Sequence, residues 1–139
     1  MKAALIQMRT VSDKAENLRH ARELIDEAAK NGADLCVLPE MFCCEYRNRS
    51  FIENQEPAGG PAWQMLSAAA RENRVWLIGG SVPEAEDGKL YNTSFVFDRE
   101  GNQAARCRKS HLFDIAVEGG QHFKENATFT PGDEICSFD

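Results

Sequence analysis

Asp34-Leu35-Cys36-Val37-Leu38 is a short apolar run halted by Pro39, and it comes directly after an amphipathic stretch closed by Asn31-Gly32. Within that stretch Ala15, Leu18, Ala21, Leu24, Ile25 and Ala28 recur at helical spacing. Ser12 and Asp13 can cap its start, and glycine tolerates the left-handed conformation that ends a helix. Ahead of it Lys2–Met8 alternates weakly and reads as a strand. Strand, helix and strand in this order predict a βαβ unit, because parallel neighbours need a crossover and its helix must cover the sheet. The strands are expected to bury Leu5, Val37 and Leu38.

Gly59-Gly60-Pro61 breaks the chain before a predicted helix over 61–73, where proline suits the first turn. Val75-Trp76-Leu77-Ile78-Gly79-Gly80 reads as a third buried strand, with Leu77 and Ile78 in the core. Asp87-Gly88 is a turn signal between Val82-Pro83 and a strand over 91–98, and Arg99-Glu100-Gly101-Asn102 is another before a strand over 103–109. Those last two strands are predicted to form an antiparallel hairpin. Residues 110–132 keep neither period and read as loop with short helical pieces. A strand is expected over 133–138. No repeat or linker interrupts residues 1–139, which read as one domain.

Charge and cysteine usage narrow the function classes. A net charge of −6 disfavours general affinity for nucleic acid or an anionic membrane surface. The opening residues lack the apolar core of a signal peptide, and nowhere do about 18 apolar residues run together as a membrane span needs. Five cysteines at positions 36, 43, 44, 107 and 136 show no metal-ligand spacing. Reduced thiols, a cytoplasmic location, no metal and no cofactor are the expectations.

Three charged residues are candidates for chemistry. Glu40 follows an apolar strand and a proline, at the carboxyl edge where loops of α/β sheets form a crevice and a general base can sit. A solvated loop glutamate reads the local sequence equally well. Lys109, at another strand end, could face an oxyanion, although an exposed lysine beside Arg106 and Arg108 is the commoner outcome. Glu125 is unremarkable alone among 22 acidic residues. His111 is unaccompanied by a Gly-x-Ser-x-Gly elbow, which argues against a serine hydrolase, and a lone loop histidine is more often structural.

Taken in order, Leu38-Pro39-Glu40-Met41-Phe42, then Arg108-Lys109-Ser110-His111-Leu112-Phe113-Asp114, then Glu125 ahead of Phe129-Thr130-Pro131-Gly132-Asp133 resembles the nitrilase superfamily of carbon–nitrogen hydrolases. Ala4-Leu5-Ile6-Gln7-Met8, Ile78-Gly79-Gly80-Ser81 and Leu90-Tyr91-Asn92-Thr93-Ser94 extend the likeness across the chain. The Lys109-to-Asp114 segment is similar to the branch containing ω-amidases.

That resemblance implies an αββα four-layer sandwich of which this chain is the N-terminal half. It implies Glu40 as general base, Lys109 as oxyanion-stabilising cation and Glu125 as the second glutamate that orients the lysine or positions substrate. Cys43, Tyr46 and His111 are the substrate-lining candidates, a small amide is the substrate, and homo-oligomers form through flanking helices. The family's nucleophilic cysteine lies on an elbow beyond Pro131-Gly132-Asp133, so the chain is expected to end before it. Cys36 reads as core, Cys107 as a hairpin position, Cys136 as lying ahead of the elbow, and Cys43 and Cys44 as pocket-loop residues. The alternative is a catalytically inactive module with a binding or association role.

Overall fold

The computed structural model describes residues 1–120 and 122–138. In chain order the elements are β1 (Ala3–Leu5), α1 (Lys14–Lys30), β2 (Leu35–Val37), α2 (Asn48–Glu53), α3 (Pro61–Asn73), β3 (Trp76–Ile78), β4 (Val82–Glu86), β5 (Lys89–Phe97), β6 (Gln103–Arg108), β7 (Asp114–Ala116) and β8 (His122–Lys124), followed by a 3-10 turn over Glu125–Ala127. Asp13 caps α1 through its carboxylate, which accepts the Ala15 N–H at 2.8 Å, and Gly32 beyond its end has φ +81°. The start of α3 is held from outside. Glu56, 5% exposed, accepts the Ala62 N–H at 2.8 Å and so satisfies a donor that no helical carbonyl can reach.

One six-stranded mixed sheet organises these elements in the order β1-β2-β3-β5-β4, with β6 also on β5. Strands β1, β2 and β3 are parallel, which fits the βαβ reading, and β5 pairs antiparallel with β3, β4 and β6. The nine residues of β5 carry β3 and β4 along one edge and β6 along the other. Helices α1 and α3 pack on one face. There Ala21, Ile25, Leu66, Ala69 and Ala70 meet Cys36, Leu77, Phe95 and Phe97 in a single buried cluster. Each fully buried Ile, Leu or Phe side chain contributes roughly 1.5–3 kcal/mol.

Alternation along the strands sends Leu5, Val37 and Ile78 to the opposite face. No helix covers that face among the described residues, and the expectation that Leu5 is buried fails: it is 82% exposed. Val37 and Ile78 are half-buried, while Leu38 and Leu77 are buried as expected.

The structure departs from the sequence reading at α2 and in the segment past β6. Residues 110–132 contain the β7–β8 hairpin, pairing Asp114 with Lys124, as well as the expected helical turn. Helix α2 was not anticipated; at six residues it is too short for its period to stand out. Residues 133–138 form no strand. The Gly132 N–H reaches the Lys109 carbonyl at 2.9 Å, but no ladder follows. Instead this tail crosses the open face, where Phe138 stacks on Trp76 and Cys136 meets Cys107. The expectation of five reduced thiols is therefore corrected. Cys107 and Cys136 form a disulfide with Cα atoms 5.5 Å apart, and Cys36, Cys43 and Cys44 are free. The pair lies 29 positions apart in sequence; tertiary folding, which spacing does not report, brings them together. None of the described helices is long and apolar enough to cross a membrane.

Candidate active site

Three chain segments meet at the carboxyl ends of the parallel strands. Pro39 ends β2 and projects Glu40. The turn there is tight: Met41 has φ +52°, and its N–H donates to Ser81 Oγ at 3.1 Å. Positive φ is a strained conformation for a residue with a side chain, and such strain concentrates at functional sites. Gly80 makes the turn possible from the other side, since an added Cβ would lie 2.0 Å from the Pro39 carbonyl oxygen. Lys109 follows β6 and is held by its backbone N–H, which donates to the Asn92 carbonyl at 2.8 Å. Glu125 opens the 3-10 turn, and its N–H donates to the Phe113 carbonyl at 3.1 Å.

Lys109 joins the two glutamates. Its Nζ lies 2.8 Å from Glu40 Oε1 and 3.0 Å from Glu125 Oε2. Burial works against the ammonium, but the two carboxylates outweigh it and hold Lys109 above its ordinary pKa. Glu125 is fully buried. Burial pushes its pKa up, while the Phe113 N–H, the Tyr46 hydroxyl and Lys109 together draw it below the ordinary value. The buried carboxylate therefore stays ionised and keeps the ammonium charged.

Tyr46 donates its hydroxyl to Glu125 and sits 3.3 Å from Glu40 Oε1. Burial and the two neighbouring glutamates push the phenol far above its ordinary pKa, so it stays protonated as a donor. Phe51 and Phe123 fix the ring, with centroids 5.2 and 5.6 Å away. Beside this group lies a depression of about 360 Å³ lined by Val37, Glu40, Ile78, Asn92, Ser94, Cys107 and Lys109.

The other sequence candidates do not join this cluster. Cys43 is fully buried, with Asn17 donating to its carbonyl at 3.1 Å, and its hydrogen bond with Cys44 together with burial pushes its thiol up. Cys44 is drawn down by the hydrogen bond from Cys43, yet it is 1% exposed and closed to a substrate. His111 is exposed, its Nδ1 3.0 Å from Ser110 Oγ, and no hydrogen bond or ion pair joins it to Glu40, Lys109 or Glu125. Cys107 lines the depression but is held in the disulfide. Among the described residues no three His, Cys, Asp or Glu side chains group as metal ligands.

Asn92 belongs to the site and was not singled out in the sequence. Its Nδ2 donates to Glu40 Oε1 at 2.7 Å. A signal existed: asparagine is depleted in strands, and a buried amide must find a partner.

The sequence profile described as Carbon-nitrogen hydrolase matches residues 2–139. This chain belongs to the carbon–nitrogen hydrolase family. It is 46% identical over 136 residues to omega-amidase NIT2 of Mus musculus, covering 98% of this chain and 49% of that protein. It is 45% identical over 137 residues to hydrolase C26A3.11 of Schizosaccharomyces pombe, covering 97% of this chain and 42% of that protein. This carbon–nitrogen hydrolase chain thus spans about half the length of the relatives it matches. Among solved structures, Saccharomyces cerevisiae Nit3, of the nitrilase superfamily, superposes over the whole chain and 51% of its own, with a TM-score of 0.86 and 31% identity. The NitFhit protein of C. elegans shares the fold at a TM-score of 0.81 and 22% identity, covering 96% of this chain and 34% of that one. The expected α/β class and superfamily fold are thus correct; the described residues supply one large sheet, the small β7–β8 hairpin and one helix layer.

Proposed function

We propose that this chain supplies the acid–base and oxyanion-binding part of a small-amide hydrolase of ω-amidase type. The observation that supports it most is the Lys109 ammonium held between Glu40 and Glu125, at 2.8 and 3.0 Å. Glu40, with its side chain 44% exposed, is the group that an incoming thiol can reach. It takes the thiol proton, and the resulting thiolate attacks the amide carbon. Negative charge then develops on the carbonyl oxygen, which Lys109 faces. Glu40 returns the proton to the nitrogen as the carbon–nitrogen bond breaks, releasing ammonia and leaving a thioester that water hydrolyses. Glu125 keeps Lys109 charged and in place, and Tyr46 borders the substrate.

The attacking thiol comes from a cysteine outside these 139 residues, because the buried Cys43 and Cys44 and the disulfide-bonded Cys107 offer none to the cluster. The test is ammonia release from succinamate, glutamine and asparagine by the protein expressed from its complete coding sequence. Glu40→Gln or Lys109→Ala should lower turnover by about 10²-fold or more, and a variant with full activity removes that residue from the mechanism. The 139-residue chain alone should release no ammonia. Turnover by it that Cys43→Ser or Cys44→Ser abolishes would overturn the assignment of the thiol.

A further inference from the structure

Resting on that reading of Glu40 as the base, we propose that Asn92 is a positioning residue that decides which oxygen of Glu40 takes the proton. Glu40 Oε1 accepts from Asn92 Nδ2 at 2.7 Å and Lys109 Nζ at 2.8 Å, with the Tyr46 oxygen 3.3 Å away. Two donors, with the Tyr46 oxygen beside them, leave Oε1 no room for a further partner. Among the described residues no donor lies on Oε2, so Oε2 is the oxygen open to the thiol.

Of these three neighbours, Asn92 is suited to hold Oε1 through the whole cycle. Its side chain is 3% exposed and rises from β5, the strand that bonds to three others. Its backbone carbonyl accepts the Lys109 N–H at 2.8 Å, so one residue locates both the base and the cation. Tyr46, 42% exposed, shares its hydroxyl with Glu125. Lys109 is attracted by charge, and that attraction falls once Glu40 becomes neutral. An amide N–H bonds to a carbonyl oxygen whether the acid is ionised or not. With Oε1 held in both states, the proton enters and leaves through Oε2, and the carboxyl plane does not turn between the two transfers.

The experiment is a double-mutant cycle in the protein expressed from its complete coding sequence, with succinamate as substrate. Asn92→Leu removes the donor at similar volume, and Asn92→Asp keeps the size while replacing the donor with an acceptor. Each should lower kcat by about 10²-fold, the scale on which misplacement of a reacting group acts, and leave KM within about threefold. Circular dichroism reads the fold of each variant separately, and Asn92→Asp stands in if Asn92→Leu does not fold. Placed on Glu40→Gln, the same substitutions should cost little further kcat, because the position of an absent base has no consequence. Full kcat in a folded Asn92 variant, or an undiminished loss on the Glu40→Gln background, overturns the proposal for Asn92. A fully active Glu40→Gln enzyme instead overturns the assignment of the base.

Discussion

The ionic cluster couples stability to pH through two shifts of opposite sign. Glu125 is held below its ordinary 4.5, so its contribution is complete above that pH and is lost as pH falls through the lowered folded value. Lys109 is held above its ordinary 10.5, so its contribution is complete below that pH and is lost as pH rises through the raised folded value. Both contributions are therefore complete between pH 4.5 and 10.5. Urea titrations of the protein expressed from its complete coding sequence and of its Glu125→Gln variant test the acid side. Their difference in midpoint should hold steady through that window and shrink below it; a difference that persists unchanged in acid would refute the linkage. At this scale the sequence was informative where a residue type is itself the chemistry. Glu40, Lys109 and Glu125 were legible as a set through their motifs, and the structure brings their head groups together. Asn92 was not. Its value lies in a partner 52 positions away, which strand pairing alone supplies.

At the scale of elements, the site depends on two loops at adjacent strand ends, one after β2 and one after β3. Gly80, with φ +48°, lies where a methyl group would meet the Pro39 carbonyl oxygen. Gly80→Ala must therefore strain the backbone or push away the turn that carries Glu40. The expected cost is about 1–3 kcal/mol, read as a lower urea midpoint at unchanged slope. A variant as stable as the parent would show that the two loops can separate freely. Elements with strong local signals were placed correctly. Helix α1 has its apolar period, Asp13 and Gly32, and α3 has Pro61. Elements whose reasons are tertiary were not. The β7–β8 hairpin has three residues per strand and gains its order by leading into Glu125, whose carboxylate takes the Phe113 N–H. Residues 133–138 have a strand-like pattern, yet they make no ladder and are tied instead by the Cys107–Cys136 bond.

Across the whole molecule the two faces of the sheet differ. One is sealed by α1 and α3; the other presents Leu5, 82% exposed, on the edge strand β1, and among the described residues is crossed only by a tail whose Ile135 and Phe138 remain exposed. Exposed apolar surface beside an unpaired strand edge favours association. The 139-residue chain should therefore sediment as oligomers or aggregates, and Leu5→Lys should shift it toward monomer. A monomeric parent with one cooperative unfolding transition would show this half-covered sheet to be self-sufficient. The same asymmetry divides what each level of description settles. Periodicity, caps and turn residues act within a few positions of one another, so the sequence alone was enough for the βαβ start, helix α3, the β5–β6 hairpin and the family. The exposure of Leu5, the disulfide, the tail's path and Asn92's hold on Glu40 depend on which distant segments share a face or a strand edge. Those are decided when the sheet assembles, because burial and hydrogen-bond partners are properties of the neighbours a residue acquires in space.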